Sequence, residues 1–317
     1  MKQFKRQHIL VFFALMLIGT TQLQAQADTV KIGVFVSDIY DLNLSEKSFS
    51  TQFWVWFNYR NEELKPQETL EVTNAKETNG SLDFAESENG IHWTGKKITA
   101  LIKKDWDIRK FPFDEQTMRI ELEDSNSDSE AMVYVADKAN SRLDSNLALS
   151  NWVIESFEIS AGSKKYATSY GDPALSDSSS EYPHAEAVIK IKRNSWGLFF
   201  SLFTGMYVAF FISSLVFFID PVDVDPRFGL SVGGLFAAVG NKYIVDSILP
   251  QSTTFTLVDK LHILTYVFLL LCIVLSVVSL RMWKNGKQER SARFDRRSYA
   301  WIVGMYLLLN LILIWQA

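Results

Sequence analysis

Apolar residues follow two contrasting patterns along this chain. Between Asp28 and Arg193 they alternate with polar residues in short runs: Val30, Ile32, Val34 and Val36; Phe49, Phe53, Val55 and Phe57 around Thr51; Met118, Ile120 and Leu122; and, more loosely, Val188, Ile189 and Ile191. A period of two marks strands with one face buried. The stretches Thr78-Asn79-Gly80, Glu88-Asn89-Gly90 and Ser125 to Ser129 read as turns between them, and 176–181 reads as a polar loop. Short strands separated by turns predict an all-β sandwich over 28–193. From Ser195 onward the chain is mostly apolar, in four runs at 196–219, 226–249, 256–283 and 299–315. These lie near or above the roughly 20 residues that a helix needs to cross a bilayer. They predict a four-helix transmembrane bundle over 194–317.

Charge orients these pieces. Lys2, Lys5 and Arg6 precede the apolar stretch Ile9 to Ile18, and Ala25-Gln26-Ala27 supplies a small-x-small cleavage site. Residues 1–27 therefore read as a secretory signal peptide, with a mature chain starting near Asp28 and its β-domain extracellular or periplasmic. A basic segment at 284–298, with Arg281 just before it and holding Lys284, Lys287, Arg290, Arg293, Arg296 and Arg297, reads as a cytoplasmic loop between the last two spans. Counting spans from the outer domain puts it inside as well, which predicts a multi-pass protein of the inner or plasma membrane. Cys272 is the only cysteine, so no intrachain disulfide can form. The net charge of -4 offers no reason to expect a nucleic-acid partner.

The second span departs from a lipid-facing helix. Gly229, Gly233, Gly234 and Gly240 notch its surface, and Asn241, Lys242 and Asp246 lie near its outer end. The link before it carries Asp220, Asp223 and Asp225 against Arg227 alone, a candidate carboxylate ring at a pore mouth. These features suit a helix facing protein and water more than one facing lipid. Close packing of small residues against a neighbouring helix is the alternative use of the glycines, and Gly229 and Gly233 fit it.

Asp107-Ile108-Arg109-Lys110-Phe111-Pro112-Phe113-Asp114-Glu115-Gln116 resembles the F-P-F-D-x-Q segment of pentameric ligand-gated ion channels, the Cys-loop receptor superfamily, whose prokaryotic members lack the naming disulfide. The order of signal peptide, β-domain, this segment and four spans matches that family over essentially the whole mature chain. The resemblance implies a homopentamer around a central pore lined by the second span. With Pro250 ending that span, the register it implies places Asp225, Gly229, Gly233, Phe236, Gly240, Tyr243 and Ser247 on one helical stripe. The stripe of Phe228, Val232, Leu235, Val239 and Lys242 is the alternative. Family position also implies coupling between the domains through Glu46, Asp114 and Arg193, near Pro250. It places a ligand site between neighbouring β-domains, with Tyr166, Tyr170 and Tyr182 from the loop over 164–184 facing Trp56 and Trp93 of the next subunit. Trp54, Trp106 and Trp152 read instead as core. The first span lacks the proline many relatives carry, leaving Gly205 to supply flexibility, and Phe236 stands where an aliphatic gate is usual.

The expected function is a cation-selective ligand-gated channel, with membrane lipid, permeant inorganic cations and an unknown small extracellular ligand as partners. Aromatic rings suit a cationic ligand. The alternative is a non-conducting receptor of the same fold, motivated by the glycine-rich second span and Phe236. No Gly-rich phosphate loop, paired metal-ligand motif or nucleophile with an obvious base is present, so neither an enzyme, a cofactor nor a metal centre is expected.

Overall fold

A computed structural model of the protein describes residues 27–173, 179–250 and 254–316. The expected signal peptide, apart from Ala27, lies outside the described residues, as do 176–178 of the expected polar loop, whose last residues, Ser180 and Glu181, are strand instead.

Among the described residues ten strands form two sheets. They are β1 (Asp28–Asn43), β2 (Ser48–Tyr59), β3 (Leu70–Val72), β4 (Ala75–Glu88), β5 (Ile91–Lys103), β6 (Glu115–Asp124), β7 (Met132–Ala136), β8 (Arg142–Leu143), β9 (Trp152–Tyr166) and β10 (Ser180–Arg193). One sheet runs β4-β5-β2-β1-β7, with β8 also on β1; the other runs β3-β6-β10-β9. Alternation does what it predicts on β2, where Phe49, Thr51, Phe53, Val55 and Phe57 turn inward with no exposed surface. Met118, Ile120 and Leu122 on β6 meet them from the facing sheet. On β10 the inward set is Ala185, Ala187, Ile189 and Ile191, and Val188 faces outward.

Thr78-Asn79-Gly80, expected as a turn, lies inside β4, with Asn79 opposite Thr99 and Gly80 opposite Ile98. Pairing with the long β5 overrides local turn preference, as strand context commonly does. Asn89 and Gly90 do turn, at φ 53 and 71.

Helices α1 (Ser195–Ser214, continued by a 3₁₀ turn at Leu215–Phe218), α2 (Val224–Ser247), α3 (Leu257–Lys284) and α4 (Gln288–Trp315) are each long and apolar enough to cross a membrane. Helix α4 begins well before the expected span start at 299. Most of the basic segment read as a loop is helical, leaving only Asn285 to Lys287 as a turn, with Gly286 at φ 75. Hydropathy misses this extension because its inward face is polar. Ser291, Asp295 and Ser298 repeat at helical spacing and are buried.

That face meets a buried arginine. Arg227, read from sequence as a loop charge, is 1% exposed, and its Nη2 donates to Asp295 Oδ2 at 2.7 Å while its Nε donates to Val216 O at 3.1 Å. Ser279 of α3 donates to the same carboxylate oxygen at 2.8 Å. The inner ends of α2, α3 and α4 are thus tied by one carboxylate.

Gly234 lets α2 approach α1, since a Cβ there would meet Ser213 Oγ at 1.8 Å and Ala209 O at 2.7 Å. Within one chain nothing lies within 4 Å of a Cβ added at Gly229, Gly233 or Gly240, so the close packing of α2 on α1 falls at Gly234. Gly205 does not break α1. Its missing side chain makes room for Asn241, whose Nδ2 would lie 3.2 Å from an added Cβ.

Removing Asp295 strands a buried guanidinium. Asp295→Ala is expected to cost about 3–5 kcal/mol, and the paired Arg227→Met/Asp295→Leu variant less than the single change. Melting of purified protein in detergent checks the order. A single change no worse than the double would contradict this role for the pair.

Candidate functional site: the domain junction, the second helix and two aromatic faces

The junction between β-domain and helices is built around Arg193, the last residue of β10. Its Nε donates to Asp114 Oδ1 at 2.7 Å and its Nη2 to Asp114 Oδ2 at 3.1 Å, a two-pronged pair with side chains 7% and 2% exposed. The guanidinium lies over Trp152 at 3.9 Å and Phe111 at 4.9 Å. Gln116 Nε2 donates to the same Asp114 at 2.8 Å. The 107–116 segment also reaches the helices directly, for Leu257 N at the start of α3 donates to Arg109 O at 2.9 Å. Phe113 packs edge-on against Trp196 at 5.1 Å. Buried residues run without a break from the sandwich through Phe199 and Phe203 to Val245, Leu249 and Leu257.

Glu46 is not in that pair. It lies in the exposed β1–β2 turn, its backbone N–H bonded to Asn43 and its carbonyl accepting from Lys76 Nζ at 2.6 Å. Of the two carboxylates expected around Arg193, the structure brings Asp114 to it and leaves Glu46 apart. Pro250 is buried and, with Ile108, Lys242, Asp246, Thr256 and Asp259, lines a cavity of 420 Å³ under the junction.

Helix α2 has two unlike faces. Arg227, Ser231, Gly234, Ala238 and Val245 are buried against the other helices. Asp225, Gly229, Gly233, Phe236, Gly240, Tyr243 and Ser247 all lie on exposed positions, with Phe236 70% and Tyr243 78% exposed. Of the alternative stripe, Val232 and Val239 are exposed as well, while Phe228, Leu235 and Lys242 are half-buried. The polar outer end turns inward as well. Lys242 pairs with Asp259 at 2.9 Å and also with Asp246. Asn241 Nδ2 donates to Leu202 O at 2.9 Å and its Oδ1 lies 3.1 Å from His262 Nε2, while His262 Nδ1 lies 2.8 Å from Val258 O. This polar chain across α1, α2 and α3 is not legible in the sequence, because nothing in the spacing shows which side of each helix a lone Asn or His takes.

The aromatic residues divide between two outward faces. Tyr166, Tyr170 and Tyr182 meet edge-on, with centroids 5.9 to 6.2 Å apart, at the end of β9 and β10. Tyr166 O–H donates to Glu123 Oε2 at 2.7 Å. Burial and that bond push the Tyr166 phenol well above its ordinary value. Trp56 and Trp93 lie on the outer face of the other sheet. Trp93 packs on Phe84 at 4.6 Å, and Trp54, expected in the core, joins them 6.2 Å from Phe84. Trp54 faces out because it shares the parity of Trp56, while Val55 and Phe57 point inward. Of the other expected core tryptophans, Trp106 is buried and Trp152 half-buried beneath Arg193.

Trp56 is fixed by partners that no sequence motif marks. Its ring covers Gly33, where a Cβ would lie 2.3 Å from ring carbons, and its Nε1 donates to Asp137 Oδ2 at 3.2 Å. Burial opposes the charge on Asp137, yet Asn140, Lys31 and Trp56 outweigh it and hold the carboxyl below its usual value. Among the described residues no group of three or more His, Cys, Asp or Glu side chains is placed to hold a metal.

Together these features define a multi-pass membrane protein, in which a polar β-sandwich is joined through a buried ion pair to four apolar helices. No family model matches the chain. It is 21% identical over 306 residues to a proton-gated ion channel of Gloeobacter violaceus, an alignment spanning 90% of this chain and 82% of that protein. That likeness is distant and crosses both domains.

Gly33→Ala should displace the Trp56 ring and cost about 1–3 kcal/mol through overpacking. The Asp137 contribution has a pH sign. A carboxyl held below its unfolded value stabilises above that value and loses the effect as pH falls through the folded one. The melting difference between wild type and Asp137→Asn should therefore be steady at neutral pH and shrink below about pH 4. A difference independent of pH would contradict the anchoring role of Asp137.

Proposed function

We propose that the protein is a cation-selective ligand-gated channel, a homopentamer whose α2 helices line the pore and whose outer domains sense a small extracellular ligand. The observation that carries this reading is the two-faced α2 helix. Seven residues with a carboxylate at one end, small residues between and two large rings above form an unpartnered stripe, while the opposite face is packed against the bundle. A carboxylate and three bare glycines beside Phe236 and Tyr243 suit lipid poorly, whereas a ring of such helices makes a notched, gated lumen. In this arrangement Asp225 attracts cations at the inner mouth, and the Phe236 ring closes the lumen by dewetting.

The basic segment from Arg281 to Arg297 faces the cytoplasm, and the chain enters the membrane from an outer β-domain. Asp114 and Arg193 carry motion of the sandwich to α1, while the Arg109–Leu257 bond carries it to α3. The tyrosines and the Trp56–Trp93 face lie on opposite outer sides of one sandwich, so a site using both needs two neighbouring chains. A cation held among their rings is the ligand chemistry that fits. The similar Gloeobacter protein makes the proton a second candidate agonist.

The test is current from purified protein in planar bilayers under salt gradients, with pH and organic cations varied. Cation-selective openings are expected. Asp225→Ala should move the reversal potential toward zero, and Phe236→Ala should raise the open fraction. Unchanged cation preference in Asp225→Ala would remove that residue from the selectivity role. Silence from well-folded pentamers under every condition would favour the non-conducting receptor, whose specific motive is the bulk of Phe236 on the stripe.

A further inference from the structure

Beneath the three tyrosines lies a carboxylate with more neighbours than the tyrosine cluster requires. Glu123, 7% exposed at the end of β6, sits directly opposite His184 in the β6–β10 register. Its Oε2 accepts from Tyr166 at 2.7 Å and lies 3.5 Å from His184 Nδ1. That nitrogen is buried and has no hydrogen-bond partner. On its other side His184 is opposite Gly162 of β9, which brings no side chain to that flank. Two residues along the same face of β10 stands Tyr182, and the same carboxylate oxygen holds Tyr166.

The surrounding charges are mostly cancelled. Glu121 pairs with Lys164 at 2.9 Å, and Glu186 with Arg119 at 3.0 Å. From β3, Glu71 stands opposite Glu123. Asp124 follows Glu123 but takes bonds from Thr69, Asn126 and Ser127. The Tyr134 hydroxyl, buried and without a partner, lies on the core side. Glu181 bonds Ser163 at the rim. Lys164 Nζ, paired with Glu121, also lies 5.6 Å from the centroid of the Tyr166 ring. Glu123, which no lysine or arginine pairs with among the described residues, sets a negative charge beside Tyr166, with Glu71 adding to it, and His184 is the imidazole in contact with it.

We propose that the His184–Glu123 pair is a proton site whose occupancy sets the charge beneath the tyrosine cluster, and with it the cluster's affinity for an organic cation. The second half rests on the ligand-site reading above. With His184 neutral the pair carries one negative charge, which draws a cation toward the rings. A proton taken from water onto the imidazole makes the pair neutral, gives Glu123 a charge-assisted donor and ties β10 to β6. Histidine is suited to this because its charge ordinarily changes between about pH 5 and 8. Acid thus tightens this end of the sandwich while weakening its hold on a cation.

Two measurements on the full-length protein test this. In the first, melting temperatures of wild type and His184→Gln are compared at about pH 8 and about pH 5. The advantage of wild type should be larger at the acid pH, by about 2–4 °C. An equal advantage at both pH values overturns the proton site. In the second, tetramethylammonium is titrated calorimetrically at the same two pH values. Wild type should bind it several-fold more weakly in acid, His184→Gln equally at both, and Tyr166→Phe should keep the pH dependence. A pH dependence that survives in His184→Gln overturns the link to the tyrosines. No tetramethylammonium binding by wild type at either pH overturns the cation half and the ligand-site reading together, and the melting comparison still decides the proton site.

Discussion

Everything above and below the domain junction depends on the buried pair of Asp114 and Arg193. An arginine at the end of the last strand, immediately before the first membrane helix, cannot leave its charge unpaired beside an apolar bundle. Asp114 answers it with both oxygens, Trp152 and Phe111 cover its planar faces, and Gln116 takes up remaining acceptor capacity. The fork of the guanidinium fixes direction as well as distance. The 107–116 segment is consequently held against the strand that leads into α1. From there its backbone reaches α3 through the Arg109–Leu257 bond. The two domains share one continuous core on either side of this pair.

A similar device operates at the inner end. Arg227 is drawn out of water by Asp295, and the pairing and the Val216 carbonyl offset part of the cost of burying it, with Arg227 Nη1 and Asp295 Oδ1 left without a hydrogen-bond partner. This rotates α2 so that its arginine faces the bundle. The carboxylate two residues earlier, on the other side of the helix, is left outward. Gly234 reinforces the rotation by admitting Ser213 and Ala209. The exposed stripe that supports the channel reading is thus the complement of a face held by one ion pair and one glycine.

In the outer domain, aromatic residues that alternate with core positions have nowhere to go but outward. On β2 this sends Trp54 and Trp56 to one side of the sandwich, and on β9 and β10 it sends tyrosines to the other. Charged neighbours then decide what each aromatic group does. Asp137 anchors Trp56 as a fixed wall, while Glu123 places a negative charge beneath the tyrosines and His184 beside it.

Local pattern is enough to read much of this. The period of two in Val30 to Val36 and Phe49 to Phe57 specifies strands whose inward faces close on each other. Four long apolar runs specify spans because a bilayer demands length. Small and charged residues at helical intervals mark α2 as unlike a lipid-facing helix, but the spacing leaves two neighbouring stripes open. What the sequence could not decide were matters of partnership. Thr78-Asn79-Gly80 has the composition of a turn, but a long neighbouring strand offers it a full ladder of hydrogen bonds. The start of α4 is hidden because Ser291 and Asp295 are polar, and only the arrival of Arg227 and Ser279 makes them an inward face. Glu46, Asp114 and Arg193 are equally charged on paper, yet only two of them come within reach. Periodicity is a property of neighbouring residues and survives in the sequence. A buried ion pair joins residues 68 to 79 positions apart, and its geometry exists only once the helices and sheets have packed.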